Sequence, residues 1–277
     1  MVLLHFVDLD PSLTALGRLG GFFVLRTTAP PDHRPRTPAR THAPDHRPRT
    51  PARAHAPDHR PPTLAQAYVP GRPDVRDDPL SVRVRRVADA LGTPETRVAA
   101  SVAQQGLTAR LWSVALGSAA LYGAVPDLSP SLLRWDPRGS APDDLWLTAV
   151  RPLPGDAATV AALVLDGHLR PLTEALRSRH RVAPGLLRGN AASALAGAAR
   201  ELDRWGRGHG RTDVAARAAG LARELLAHPL LSGTGTLTGT AFRRRSCCLY
   251  YRVPGGGVCG DCCFPRPPRS SPRGPAA

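Results

Sequence analysis

An α+β fold, predominantly α-helical and ending in a small C-terminal Cys-rich lobe, is what this 277-residue sequence predicts. Three observations carry the prediction. Ala and Leu supply most of the apolar side chains while aromatic residues make up only 5% of the chain, a balance that favours helices. Between Pro184 and Trp205 the residues Leu187, Ala191, Leu195, Ala198, Leu202 and Trp205 step by three or four and form one apolar stripe. All five cysteines lie between Cys247 and Cys263, and the preceding 246 residues contain none.

The elements follow in order. Asp8 or Asp10 caps a short helix with Pro11 at its first position, running to about Gly17, and Phe22–Leu25 reads as a short strand. Asp78-Pro79 starts a helix whose apolar set is Val82, Val84, Val87, Ala88 and Leu91 and which ends at Gly92. Thr93, with Pro94 at the first helical position, opens another that reaches Leu121, with a break expected near Gly106 or Gly117. Leu145, Leu147 and Ala149 alternate as one face of a half-buried strand. Helical stretches at about Thr159–Leu165 and Pro171–Arg179 flank Gly167, and the run Gly206–Gly210 ends the long helix from Pro184. Thr212 or Asp213 opens the last helix, with Leu221 and Leu225 buried and His228-Pro229 as its stop. Ser232–Gly239 reads as a flexible approach to the cysteines.

An internal repeat interrupts this pattern early. Asp-His-Arg-Pro recurs at Asp32, Asp45 and Asp58, every 13 residues, with Thr-Pro-Ala-Arg between the copies. Such frequent Pro excludes helix and sheet and leaves extended chain. The expected organisation is residues 1–27 as the first helix and strand of the main domain and 28–63 as a disordered low-complexity insertion. Residues 64–240 form the α-rich domain, 241–264 the cysteine segment and 265–277 a disordered tail. Loop-closure entropy grows slowly with length, so a folded domain tolerates the insertion. The regular histidines of the repeat are read as repeat expansion rather than a metal tract.

Hydrophobic residues at 42% permit a real core, and the formal charge is +15. The basic residues are all Arg. Such a charge draws anions of many kinds, but seven Arg against three Asp lie in residues 29–63 and three more Arg in the tail. No helix-turn-helix, RNA-recognition or zinc-finger pattern accompanies it, so nucleic acid is not an expected partner. No stretch approaches the roughly 20 apolar residues of a membrane span, and the first ten residues make a poor secretory signal. The expected compartment is therefore the cytoplasm, where thiols stay reduced and metal ligation is favoured over disulfides.

Cys247 and Cys248, ten residues, Cys259, two residues and Cys262 supply two close pairs of thiols. Four thiolates are the usual shell of a [2Fe–2S] cluster or of a structural zinc. Adjacent cysteines diverge in extended chain, so the backbone must distort for both to face one centre, or each serves a different iron. Gly260 is expected to permit the turn of the second pair. Arg243, Arg244, Arg245 and Arg252 surround the pairs and favour thiolate; a plainly solvated charged linker is the other reading of the Arg run.

A doubled cysteine, ten residues and C-x-x-C near the C-terminus resembles the FhuF-type ferric-siderophore reductases, which hold a [2Fe–2S] cluster on that pattern. Cys263 is extra to it. Gly20–Val24, Ala99–Ala103 leading to Thr108–Trp112, Leu186–Ala192 and the approach from Leu230 to Arg245 also resemble actinobacterial members. The resemblance implies an oxidoreductase in iron acquisition, with Cys247, Cys248, Cys259 and Cys262 as cluster ligands and a ferric siderophore as substrate. It implies one-electron reduction of chelated Fe(III) so that Fe(II) is released in the cytoplasm, with no catalytic acid, base or nucleophile. A ferredoxin or a flavin/NAD(P)H reductase would be the electron donor, and peripheral association near a siderophore importer fits the delivery of the chelate. Arg110, Trp112 and Asn190 stand in the family-like runs as candidate substrate contacts; the alternative makes Trp112 core and Arg110 and Asn190 helix-face or capping residues. The competing functions are a four-cysteine structural zinc module on a basic binding domain, a [2Fe–2S] carrier with another acceptor, and a siderophore-synthesis or transport protein.

Overall fold

The structure is a computed structural model and describes residues 9–27, 60–69 and 78–268. The expected disordered insertion and tail lie largely outside these residues.

The organising element is α4 (Thr96–Tyr122), 27 residues long and so about 40 Å in length. Its small residues let neighbours close on almost every side: Ala99, Ala100, Ala115 and Ala119 are all buried, and so is the large Trp112. Around it pack α1 (Leu9–Leu16), α3 (Pro79–Leu91), α7 (Pro184–Gly208) and α8 (Thr212–Ala227). The short α2 (Leu64–Tyr68) leans on the run α5 (Ala157–Ala161), a π-helical stretch Ala162–Leu169, and α6 (Arg170–His180).

Among the described residues, three two-stranded antiparallel ribbons decorate this bundle. β1 (Ala124–Pro126) pairs with β4 (Pro152–Pro154), β2 (Leu133–Trp135) with β3 (Leu145–Leu147), and β5 (Gly235–Thr238) with β6 (Ala241–Arg244). Single bridges Thr63–Arg134 and Arg26–Trp146 extend the β2–β3 ribbon on both edges. Arg26 and Thr63 thus lie on opposite edges of this ribbon, about 14 Å apart at the usual strand spacing. Residues 60–63 already belong to the fold: Pro62 O accepts the Trp135 N–H at 2.9 Å, and Thr63 caps α2 with a reciprocal Gln66 contact.

The fold class is as expected, and several elements differ in detail. Gly21–Phe23 is a 3-10 turn rather than a strand, and only Arg26 pairs. α4 starts at Thr96, not at Pro94; Thr93 Oγ1 accepts the Glu95 N–H at 3.3 Å and so serves a turn before the helix. Neither Gly106 nor Gly117 breaks it, because both adopt ordinary helical backbone. Gly167 likewise lies inside a continuous helix, widened by the π stretch. α7 continues to Gly208; Gly206 serves the tight turn into α8, where an added Cβ would sit 2.7 Å from Arg211 O. Ser232–Gly239 is not merely a flexible approach, since Gly235–Thr238 forms β5 and an added Cβ at Gly235 would strike the Phe242 ring.

Candidate metal centre

β6 ends at Arg244 and delivers the chain onto the α4–α7 face. Arg244 N–H donates to Asp261 O at 3.0 Å, tying the two halves of the cysteine segment together. Side-chain contacts dock the segment further. Ser101 Oγ donates to Cys248 O at 2.7 Å and Ser246 Oγ to Gly185 O at 3.1 Å. The Asp261 carboxylate accepts from Ser193 Oγ at 2.6 Å and pairs with Arg200 at 3.4 Å. Arg252 makes a forked contact with both oxygens of Glu95 at 3.0 and 2.9 Å. Gly189 makes this docking possible, because a Cβ there would run into Ser246 Oγ and come within 3.1 Å of Arg244 Nη2.

The two adjacent cysteines sit in different surroundings. Cys248 is buried and accepts a hydrogen bond from the Cys259 thiol, whereas Cys247 is half-buried and interacts electrostatically with Cys248, Cys262 and Cys263. Leu249, directly after the pair, adopts a left-handed backbone (φ 68°). Its N–H donates to Cys247 Sγ at 3.2 Å, and the Phe264 N–H donates to Cys262 Sγ at 3.4 Å. The Cys259–Cys262 turn closes with a 3.1 Å bond from Cys262 N–H to Cys259 O. Gly260 has no positive φ and open space at its missing Cβ, so this turn does not depend on it. The glycines that matter lie in the connecting loop. Gly255 has φ 70°, and a Cβ on Gly256 would lie 2.7 Å from Tyr250 O.

The thiols are electrostatically distinct. The hydrogen bond from Cys259 pulls Cys248 below the ordinary thiol range, with Arg244 adding to the effect, and the same bond pushes Cys259 up. Burial pushes the Cys247 thiol up to about 11 against the pull of the Leu249 N–H, and burial raises Cys263. Among the described residues no three His, Cys, Asp or Glu side chains converge as a single-ion site.

An anionic sulfur-ligated group fits these residues. All five cysteines are free thiols, two of which already accept backbone N–H bonds. Arg244 Nη1 is buried with no hydrogen-bond partner beside them. A buried, unpartnered guanidinium N–H is costly unless it meets an acceptor. Thiolates and a bound anionic group supply one.

The thiol-rich lobe on a helical bundle is suited to a sulfur-ligated metal centre. Residues 244–264 match the family model for the FhuF 2Fe-2S C-terminal domain, so this lobe is a [2Fe–2S]-binding domain of the FhuF type and the chain has a redox role. A structural zinc module is thereby set aside. No curated protein matches the chain.

The other candidate residues are placed as follows. Trp112 is fully buried in the core. Arg110 is buried and pairs with Asp144 at 2.8 Å, also donating to Val24 O at 2.6 Å. Asn190 is fully buried; it accepts from Arg244 Nη2 at 2.6 Å and donates to Ser101 and Gln104. The three do not meet in one site, and Asn190 alone adjoins the cysteine lobe. Asp261, Ser193, Ser101 and Gln104 were not singled out by sequence reasoning. The available signal was polar residues on otherwise Ala- and Leu-rich helix faces, and a carboxylate inside the C-x-x-C turn.

Proposed function

We propose that this protein is a ferric-siderophore reductase acting in the cytoplasm, with Cys247, Cys248, Cys259 and Cys262 as the cluster ligands. The observation that carries the reading is the match of residues 244–264 to the FhuF 2Fe-2S C-terminal domain, a segment that holds all five thiols and buried Arg244. When bound, the group supplies one electron at a time, which turns chelated Fe(III) into Fe(II). Hard oxygen donors hold the softer ion of lower charge far less tightly, so reduction is release. The electron comes from a separate protein, a ferredoxin or a flavin/NAD(P)H reductase.

The chelate's place is a cleft between α6 and α7. A cavity of about 330 Å³ is lined there by Gln104, Arg170, Glu174, Arg177, Leu187 and Arg188 among others, and a neighbouring one of about 510 Å³ shares Arg177. Arg177 and Arg188 pair with no carboxylate among the described residues. A single turn of α7 presents both faces: Leu187 and Arg188 line the cleft while Gly189 and Asn190 meet Arg244. An anionic chelate in the cleft lies about one helix diameter, roughly 10 Å, from the cysteine lobe.

The test is visible absorption and EPR on protein purified without oxygen, before and after dithionite, followed by ferric-siderophore reduction with a ferrous trap. A red-brown protein that bleaches, gives a one-electron EPR signal and delivers Fe(II) to the trap is the expected result. A colourless protein with one zinc sinks the reading. A cluster that does not reduce ferric siderophores leaves an electron carrier with another acceptor.

A further inference from the structure

Four arginines surround the cysteines in sequence, and the structure separates one from the rest. Arg243, Arg245 and Arg252 reach water, whereas Arg244 is 2% exposed. Its guanidinium is held by neutral oxygens: Nη2 donates to Asn190 Oδ1 at 2.6 Å and to Leu186 O at 3.3 Å, and Nε to Ser246 O at 3.1 Å. Nη1 is buried without a partner. Among the described residues no carboxylate pairs with it; the nearby Asp261 carboxylate is turned to Ser193 and Arg200.

The holder is itself fixed. Asn190 Nδ2 donates to Ser101 O at 3.0 Å and to Gln104 Oε1 at 2.9 Å, and Gln104 Nε2 donates to Leu187 O at 3.2 Å. Every polar atom of the two amides is committed, so Asn190 Oδ1 can face only Arg244. A buried cation with no anion is destabilising by itself. Here the missing anion is what the adjacent lobe binds.

We propose that Arg244, clamped by Asn190, is the fixed charge that sets the reduction potential of the [2Fe–2S] centre, while the exposed arginines contribute little. The inference rests on the cysteine lobe holding that centre. Reduction adds one negative charge next to the guanidinium. At low local dielectric a buried cation stabilises the added charge far more than a solvated one does. Net charge and hydrogen bonds to sulfur are the protein's levers on such potentials. Arg244 is therefore a positioning residue for charge and makes no contact with the substrate.

The experiment is a redox titration of the cluster-loaded full chain, read by absorption and EPR. Arg244→Met should lower the reduced-to-oxidised ratio at a given potential at least tenfold, a shift of about 59 mV for a one-electron couple. Arg244→Lys keeps the charge and should stay nearer wild type. Asn190→Asp neutralises the guanidinium without touching residue 244 and should shift in the same direction as Arg244→Met. Arg243→Gln and Arg245→Gln should each move the ratio less than about threefold, because water and salt screen them. For the same reason the wild-type potential should change little as salt is raised. The proposal is overturned if cluster-loaded Arg244→Met or Asn190→Asp titrates like wild type, or if the exposed substitutions shift as far. It is also overturned if the wild-type potential is strongly salt-dependent, a readout that needs no variant to fold. A wild-type protein without a cluster would instead sink the reading of the lobe.

Discussion

His168 shows how a single buried residue makes stability depend on pH. It is wholly buried on the π stretch, where its Nε2–H donates to Leu128 O at 2.6 Å and Tyr68 O–H donates to Nδ1 at 2.8 Å. Both bonds suit the neutral ring, and burial pushes its pKa down from 6.5 to about 4 against the Leu128 carbonyl. Above pH 6.5 neither the folded nor the unfolded chain protonates this imidazole, and its contribution is fully present. As the pH falls from 6.5 towards 4 only the unfolded chain takes the proton, which removes about 2 kcal/mol by pH 5. His168→Leu should be less stable than wild type at pH 7, because the Tyr68 hydroxyl and the Leu128 carbonyl lose their partner. The gap should narrow by about 2 kcal/mol at pH 5. Urea unfolding at both values checks this, and an unchanged gap would show that the buried ring accepts a proton. Two other buried residues, Arg110 and Arg244, show how one residue type takes different work. Arg110 has Asp144 as its counter-charge and binds the N-terminal segment through Val24 O, whereas Arg244 has only neutral oxygens on the protein side.

At the scale of elements, explicit stop and start chemistry was readable and compensated chemistry was not. α3 came out of the sequence nearly to the residue. Asp78 accepts the Ser81 N–H, Pro79 sits at the first position and Gly92 closes the helix at φ 58°. The pattern Thr93-Pro94 looks like the same signal, yet Glu95 is the residue at the start of α4 and its carboxylate holds Arg252 of the cysteine lobe. That partner is 157 residues away, beyond any local pattern. The three-residue strands β1, β2 and β4 are too short to show alternation, and two of them contain Pro. Glycines were the other source of error, since a breaker and a notch look alike in sequence. Gly106 has nothing within 4 Å of an added Cβ, whereas a Cβ on Gly117 would sit 2.8 Å from Leu16 Cδ1 and 3.1 Å from the Phe23 ring. Gly106→Ala should therefore stabilise the protein by about 0.5–1 kcal/mol through helix propensity. Gly117→Ala should destabilise it by about 1–3 kcal/mol through overpacking. Thermal unfolding separates them, and shifts of the same sign would contradict the assignment of Gly117 as a packing notch. The cysteine lobe as a [2Fe–2S] domain was legible in the sequence, because thiol chemistry is written in residue type. Its anchoring by Ser101, Asn190, Ser193 and Arg200 was not, because these residues come from helices distant in sequence.

Across the whole molecule, charge and architecture point the same way. The chain carries +15, and the described part places arginines both around the cysteine lobe and in the cleft across α7. A protein donor with an acidic surface would be steered to the lobe, and its transfer rate should fall steeply as salt is added. The cleft proposed for the acceptor obeys different geometry. Arg177 and Arg188 line the cleft together with Glu174, on helices that the cysteine lobe does not touch through those residues. Charge reversal at both, Arg177→Glu with Arg188→Glu, changes surface side chains and leaves the Gln104–Asn190–Arg244 chain in place. The expected result is at least a tenfold rise in KM for an anionic ferric chelate, corresponding to about 1.4 kcal/mol of lost binding. The visible spectrum and the rate of cluster reduction by dithionite should stay unchanged. Steady-state kinetics with a ferrous trap, run at low and high salt, measures both effects. An unchanged KM would remove the cleft as the chelate's site while leaving the cluster and its redox role intact, because the spectrum is read on the same sample.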